Sequence, residues 1–166
     1  MGVDIHLRLC KYDPKDNLWH KITLYQKEKD GYEEVYIYPG RNSEMFAAMQ
    51  NEEEDNYGEF PCDNISMLSL DEEMKKEIEK IEKWCYGFKE ILLSDLKYYL
   101  KDHPVVKDYD KFWEEEEEKE KEKEIPTKLN PIEHIYNLCC SYIEIADWTF
   151  DVTPLSKYKI LYWFDC

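Results

Sequence analysis

Apolar and polar side chains alternate at the start of the chain. The apolar positions are Val3, Ile5, Leu7 and Leu9, and Asp4, His6, Arg8 and Cys10 stand between them. Because successive side chains of a β-strand point to opposite faces, this pattern predicts a strand with one apolar face in the core.

Three other segments favour strands through their aromatic and β-branched residues. They are residues 18–25, 35–38 and 158–164, and Asp-Pro or Asp-Gly turn signals precede the first two. Aromatic and β-branched side chains pack well on a pleated surface, while Asp, Gly and Pro favour turns. We therefore predict an antiparallel meander at the N-terminus and a last strand that shares the sheet of the first.

Apolar residues in the middle of the chain recur every three or four positions, which is the period of amphipathic helices. Start signals precede four of these runs: Ser43, Ser69 with Glu72 as a capping box, Ser94, and Pro131 at the first helical position. The second run extends to Trp84, and the third ends near His103. Glu and Lys dominate residues 108–124, where we expect a frayed, solvated helix.

These elements predict a single α+β domain over residues 1–166, with helices packed over a mainly antiparallel sheet that contains both terminal strands. A chain of this length fits one hydrophobic core. Aromatic residues make up 15% of the chain, which excludes a disordered acidic protein because such side chains bury well. The many Tyr and Trp exceed what a small core readily hides, so we also expect a homo-oligomer.

The net charge of −16 is concentrated in two stretches. Residues 44–63 hold seven acidic residues and no Lys or Arg, and residues 113–124 hold eight Glu against three Lys. The second stretch lies in a predicted acidic, solvated insertion at about residues 108–130. An acidic protein repels phosphate backbones, which argues against direct nucleic-acid binding. Residues 1–43 are balanced, with seven acidic and seven basic side chains, so the overall sign does not exclude a small anionic ligand.

Six cysteines occur without a CxxC pair or the paired spacings of a structural zinc site, which predicts free thiols. No stretch approaches about 18 consecutive apolar residues, and the N-terminus lacks the basic and apolar regions of a signal peptide. The sequence motifs of P-loop NTPases, zinc proteases and nucleophile-elbow hydrolases are absent. We therefore expect a cytoplasmic protein with no membrane contact and no cofactor.

Two clusters of side chains are candidates for contact with a ligand. Asp4 and His6 project from the same face of the predicted first strand, which either brings acid/base groups together or simply forms its solvated face. Residues 38–43 lead from an expected strand into a helix N-terminus, where free N–H groups and the helix dipole favour an anion. Arg41 and Asn42 strengthen that prediction, although an ordinary capped turn would have the same sequence.

Four segments carry a resemblance to a known group of proteins: MGVDIH at residues 1–6, GRN at 40–42 with MFA at 45–47, FPCD at 60–63, and YWFD at 162–165. Together they resemble a family of small bacteriophage and prophage proteins whose members begin Met-Gly-Cys-Asp-Ile-His. This chain departs from that pattern at Val3 and at Glu59, which is inserted before the Pro-x-Asp loop. The resemblance implies a phage context rather than a particular activity. By position it carries over Asp4, His6, Arg41, Asn42, Asp63, Trp84 and Asp165.

The first functional hypothesis is a protein that binds a small nucleotide-like ligand without catalysis. The predicted ligand-binding residues are Asp4, His6, Arg41, Asn42, Tyr57, Asp63 and Trp84, with Tyr38 as a further aromatic. They combine a phosphate anchor, stacking rings and acceptors for a base or ribose. In a phage protein such binding suggests sequestration of a host defence signal, and Arg41→Ala should then abolish it.

Two alternatives stay open. The acidic stretches could imitate a nucleic-acid backbone and inhibit a host defence protein, or they could serve solubility alone. Asp4, His6 and Asp63 could instead bind Mn or Zn for phosphoester hydrolysis, although no motif fixes their spacing. Deleting residues 114–124 should separate the inhibitor from a ligand binder, and metal analysis should test the hydrolase.

Overall fold

The computed structural model describes residues 3–50, 54–115 and 124–165. The strands are β1 (Asp4–Asp13), β2 (Leu18–Lys21), β3 (Tyr25–Glu28), β4 (Gly31–Glu34), β5 (Asp63–Asn64), β6 (Tyr86–Leu92), β7 (Val105–Lys107), β8 (Thr127–Leu129) and β9 (Tyr158–Asp165). The helices are α1 (Ser43–Met49), α2 (Glu54–Tyr57), α3 (Glu72–Ile81), α4 (Leu93–Asp102), α5 (Tyr109–Glu115) and α6 (Ile132–Ala146). Short 3₁₀ turns lie at Met67–Ser69, Phe150–Val152 and Leu155–Lys157.

Five strands form the main sheet in the spatial order β2-β1-β9-β6-β5, and each neighbouring pair is antiparallel. The two terminal strands pair along most of their length, with Asp4 opposite Asp165 and Lys11 opposite Tyr158. This confirms the predicted α+β class and the shared sheet of the first and last strands. Because β9 is central and covered on both faces, seven of its eight residues are buried, and six of these are apolar.

Helices cover both faces of the main sheet. On the first face, the apolar residues of β1 and β9 pack with α1, α4 and α6. These two strands contribute Ile5, Leu7, Leu9, Tyr158, Ile160, Tyr162 and Phe164 to that core. On the second face, Cys10, Leu161 and Trp163 pack against Leu70, Met74 and Ile78 at α3. The polar side chains of β1 share this second face with α3.

The predicted N-terminal meander is wrong at its third strand. Residues 35–38 do not pair as a strand, whereas β3 and β4 form a separate ribbon just before them. The Val35 N–H donates to the Leu24 carbonyl (2.7 Å), and the Tyr142 hydroxyl of α6 donates to the Val35 carbonyl (3.0 Å). Because these bonds satisfy the backbone groups of Val35, the segment lies beside β1 without joining its ladder.

The N-capping residues of two helices lie one or two positions away from the predicted ones. Asn42 rather than Ser43 caps α1, and its amide oxygen accepts two backbone N–H groups of the first turn. Asp71 rather than Ser69 caps α3, and its carboxylate accepts the Met74 N–H (2.9 Å). Asn and Asp are among the best N-capping residues because their short side chains reach these N–H groups.

The ends of the other helices agree more closely with the sequence. The α4 helix ends directly before His103, as predicted, and α6 begins directly after Pro131. The buried Asn130 side chain accepts the Ile132 N–H at 3.0 Å and so stabilises the start of α6. The α3 helix ends three residues before Trp84, which lies in the following turn.

The acidic segment is connected to the fold by the small β7-β8 sheet. Its first part forms α5, and residues 116–123 of the predicted charged helix lie outside the described residues. Five cysteines in the described part of the chain are free thiols, as predicted: Cys10, Cys62, Cys85, Cys139 and Cys140. No helix in the described ranges is long and apolar enough to cross a membrane.

Candidate ligand-binding site

The first predicted cluster lies where β1 begins and β9 ends. The Arg41 guanidinium donates from Nε to Asp4 Oδ1 (2.7 Å) and from Nη2 to Asp4 Oδ2 (3.3 Å). The Tyr38 hydroxyl donates to Asp4 Oδ1 at 3.3 Å. The hydrogen bond from Arg41 holds the pKa of the Asp4 carboxyl below its usual range, so this acid stays ionised. An anionic ligand would therefore have to compete with Asp4 for the Arg41 cation.

His6 belongs to a second pair at the same end of the sheet. Its Nε2 lies 2.7 Å from Asp165 Oδ2, and its ring is nearly parallel to that of Trp163, with 6.3 Å between centroids. About a third of each side chain of the His6–Asp165 pair is exposed. The structure thus brings Asp4 to Arg41 and His6 to Asp165, so these three predicted ligand residues each have a partner within the protein.

One face of β1 carries a row of polar side chains, namely Asp4, His6 and Arg8. This polar row continues towards α3 and the β3-β4 ribbon. The Arg8 guanidinium donates to Glu77 of α3 and lies 4.1 Å from the centre of the Tyr36 ring. Lys21 donates to the same Glu77 (2.7 Å) and to Glu34 (2.6 Å). Alternating charges therefore run across this face, and they link the sheet to its covering elements. We interpret this row as a structural ion-pair network.

The remaining predicted residues do not gather at this end of the sheet. Asn42 uses its side-chain oxygen to cap α1. Tyr57 is fully buried in the main core, so its ring is not available to stack on a ligand as predicted. Trp84 is 78% exposed in the turn after α3. Asp63 is exposed on β5, three strands from β1 and about 14 Å away at the usual strand spacing.

This separation removes the predicted metal site. A single ion needs donor atoms within a few ångströms of one another, and Asp63 lies too far from Asp4 and His6. In the described ranges, Asp13, Asp16 and His20 do place their donor atoms within 4.8 Å of one another. Those side chains lie at the β1-β2 turn, where Asp16 already pairs with His20 (2.6 Å). An ion-pair cluster at a turn accounts for them.

His20 predicts a pH-dependent contribution to stability. Burial opposes protonation of the ring, but the hydrogen bond and charge of Asp16, with the charge of Asp71, raise the pKa of His20 overall. Protonated His20 therefore stabilises the fold at low pH, and this contribution is lost as the pH rises through the folded-state pKa. We expect a loss of about 0.5 kcal/mol between pH 6 and 8, since the pair is partly exposed.

Urea unfolding of the wild type and of His20→Gln at both pH values measures this loss. The glutamine variant should lack the pH-dependent term, whereas the matched control His134→Gln, at an exposed position of α6, should keep it. An unchanged pH profile in His20→Gln would contradict the assignment.

A surface cavity of about 480 Å³ lies between α4 and α6, over the first face of the sheet. The α4 side chains that line it are Ser94, Lys97, Tyr98, Leu100 and Lys101. Glu133, Tyr136 and Asn137 of α6 line the other wall, with Leu155 of a 3₁₀ turn. Ligand pockets for small molecules have volumes of about 300–1,000 Å³ and combine apolar walls with a few polar groups. This cavity has that size and composition.

The charges at the cavity differ in sign from those of the protein as a whole. Lys97 and Lys101 line it against the single acid Glu133, although the chain carries a net charge of −16. Burial and a hydrogen bond with Cys140 raise the pKa of Tyr136 to about 12, so its hydroxyl stays neutral. The hydroxyl donates its proton towards Cys140, which leaves the oxygen able to accept a hydrogen bond. The walls therefore offer two cations, aromatic surface and neutral polar groups to a ligand.

The sequence analysis missed these residues because they belong to helices that are distant along the chain. The apolar stripe of α4 is completed by Leu96, Tyr99 and Leu100. Tyr98 is left on the polar side of the helix, where it is 66% exposed. An aromatic residue flanked by lysines on the polar side of a helix was the signal available in the sequence.

Comparisons with protein-family models, curated proteins and solved structures found no match to this chain. The resemblance to small phage proteins therefore stays a prediction.

Proposed function

We propose that the protein binds a small nucleotide-like ligand and sequesters it without chemical change, and that the ligand occupies the cavity between α4 and α6. The single observation that carries this proposal is the cavity itself. Its volume of about 480 Å³ is adequate for a small molecule, and its walls combine tyrosine rings with lysine ammonium groups. Aromatic rings stack on a base, and lysines attract phosphate.

Binding without catalysis agrees with the protonation states of Tyr136, which lines the cavity, and of the neighbouring Cys140 of α6. Cys140 is hydrogen-bonded to Tyr136, and burial raises the pKa of its thiol. A protonated thiol is a weak nucleophile, because the thiolate is the reactive form. The neutral Tyr136 hydroxyl is likewise suited to hydrogen bonding rather than to attack on a phosphate. These groups support recognition of a ligand that leaves unchanged.

The phage resemblance supplies the biological context of this proposal. A protein that binds a nucleotide-like signal without turnover lowers the free concentration of that signal in the infected cell. We therefore propose that the ligand is a small host defence signal. The acidic stretches keep their role as solubilising segments in this proposal.

The proposal is tested by incubating the protein with nucleoside monophosphates, cyclic nucleotides and ADP-ribose. The solution is then filtered, the retained protein is denatured, and both fractions are analysed by mass spectrometry. We expect one ligand class to be depleted from the filtrate and recovered intact after denaturation. A chemically altered ligand would show an enzyme, and no depletion at all would contradict ligand binding. Deleting residues 114–124 should leave depletion unchanged, because the described lining of the cavity belongs to α4, α6 and the turn at Leu155.

Tyr98→Ala should weaken binding of the depleted ligand by about tenfold or more, the effect of removing one ring that stacks on a base. Tyr98 is 66% exposed, so the substitution should leave stability unchanged. Tyr32→Ala is the matched control, because Tyr32 is 73% exposed on the separate β3-β4 ribbon. Equilibrium dialysis of both variants measures the difference. Arg41→Ala should also bind the ligand normally. A loss of affinity in Arg41→Ala but not in Tyr98→Ala would show that the ligand binds at the Asp4–Arg41 cluster instead of the cavity.

A further inference from the structure

We propose that Lys97 and Lys101 hold a terminal phosphate, so that the ligand is a nucleotide with a free phosphate monoester rather than a cyclic phosphodiester or a nucleoside. This inference rests on the proposed function. It specifies the charge and the chemical class of the ligand for the same cavity.

The spacing of the two lysines places them one turn apart on α4. Residues four positions apart in a helix lie on the same face, with Cβ atoms about 6 Å from each other. Both side chains line the cavity, and Tyr98 lies between them in sequence. Flexible lysine side chains at this spacing can converge on one group of oxygen atoms. A phosphate offers three such oxygens at its terminus.

The two lysines differ from the partly buried Lys21 and Lys128, whose ammonium groups have carboxylate partners. Lys21 pairs with Glu34 and Glu77, and Lys128 pairs with Glu44. Within the described ranges, neither Lys97 nor Lys101 lies within 4.0 Å of a carboxylate oxygen. Like charges one turn apart on a helix repel each other, and an anion between them removes that repulsion. The pair is therefore suited to a ligand that brings its own negative charge.

Lys97 and Tyr136 line the same cavity from opposite helices, α4 and α6. Burial raises the pKa of the Cys140 thiol, which lies one turn along α6 from Tyr136, and the positive charge of Lys97 partly offsets that rise. A ring against Tyr136 and a phosphate at α4 would occupy the two walls together.

The charge balance selects the type of phosphate. The two lysines and Glu133 give the cavity a net charge of +1 at neutral pH. A phosphate monoester carries about −1.5 to −2 at pH 7 and has a second pKa of about 6, whereas a cyclic diester carries a single negative charge. Both ester types can accept bonds from the two ammonium groups, so the second negative charge of the monoester is what strengthens these charge-assisted bonds relative to a diester.

The test compares three sets of probes by equilibrium dialysis with the full chain. They are the four common ribonucleoside 5′-monophosphates, the corresponding 3′,5′-cyclic monophosphates, and the nucleosides. We expect at least one 5′-monophosphate to bind about tenfold or more tightly than its cyclic and uncharged counterparts. The affinity should fall as the pH is lowered from 7 to 5, because the phosphate then becomes a monoanion.

The variant Lys97→Gln/Lys101→Gln should lose about tenfold or more of the affinity for the monophosphate and should no longer prefer it over the cyclic form. Lys76→Gln/Lys80→Gln is the matched control, since these lysines are exposed and equally spaced on α3. It removes the same charge and should bind like the wild type. Urea unfolding of each double variant checks that its fold is intact.

The outcomes separate this inference from the proposed function. Equal binding of the cyclic forms or nucleosides, or a normal affinity in Lys97→Gln/Lys101→Gln, would overturn the phosphate assignment and leave ligand sequestration in place. If the wild type binds none of the three probe sets but retains ADP-ribose, the monoester is likewise excluded. Absence of binding to every probe, ADP-ribose included, would overturn both proposals.

Discussion

Replacing Gly87 by alanine should lower the free energy of unfolding by about 2–5 kcal/mol, because a methyl group at this position has no space and the backbone is strained. Gly87 has a φ of 67°, in the left-handed region that favours glycine. A Cβ atom there would lie 2.6 Å from Cδ2 and 2.9 Å from Cε2 of Phe164. The Phe164 ring is fully buried and packs edge-on against Phe46 at 4.8 Å, so it cannot move away freely.

Gly40→Ala is the matched control for this prediction. Gly40 also has a positive φ, of 88°, but a Cβ atom there would meet nothing within 4 Å. This variant should therefore show only the backbone strain of about 1 kcal/mol. Urea denaturation followed by tryptophan fluorescence compares both variants with the wild type. Equal losses at Gly40 and Gly87 would show that the contact with Phe164 does not contribute.

Gly87 and the bulge beside it also explain why β6 was not predicted from the sequence. Gly87 lies in β6, next to a shift in pairing between Tyr86 and Lys89, and the bulge interrupts the alternation that marks a strand. By contrast, β1 was predicted because its apolar and polar residues alternate regularly. The β9 strand was predicted because it is rich in aromatic residues, which favour strands. Residues 35–38 have a strand-like composition, but the Tyr142 hydroxyl from α6 satisfies the Val35 carbonyl. A partner so distant in sequence leaves no local signal.

The candidate site shows a similar limit. The sequence indicated Asp4, His6 and Arg41 as candidate ligand-binding residues, and the structure does place Arg41 beside Asp4. It could not show that Asp165 and Asp4 would occupy these groups as internal partners. The cavity requires α4 and α6 to pack side by side, and helix packing depends on the sheet beneath both. Only the tertiary structure therefore shows that residues such as Lys97 line a cavity.

Glu77→Ala should lower the free energy of unfolding by about 2–4 kcal/mol, because it leaves two largely buried cations without their shared carboxylate. The side chains of Arg8 and Lys21 are 14% and 5% exposed. Both donate to Glu77, and Lys21 keeps only Glu34 when that acid is removed. The loss is therefore smaller than for a fully orphaned pair, yet larger than for an exposed salt bridge.

Glu79→Ala is the matched control, since Glu79 lies on the exposed side of the same helix and should change stability by less than about 0.5 kcal/mol. Urea unfolding at neutral pH measures both variants. Glu77→Gln, which keeps the shape of the side chain but removes its charge, separates electrostatics from packing. A loss in Glu77→Gln close to that in Glu77→Ala assigns the effect to the charge.

The pH dependence of the same variants tests the cause independently. Burial opposes ionisation of Glu77, but its bonds with Lys21 and Arg8 outweigh this and lower its pKa below the ordinary value. A lowered folded-state pKa means that the stabilisation is present above the unfolded pKa of about 4.3 and is lost as the pH falls through the folded value. The wild type should therefore lose more stability than Glu77→Ala on acidification from pH 5 to 3. Parallel pH profiles would show that Glu77 acts through packing alone, and the polar row of β1 would then not be the ion-pair network inferred from its geometry.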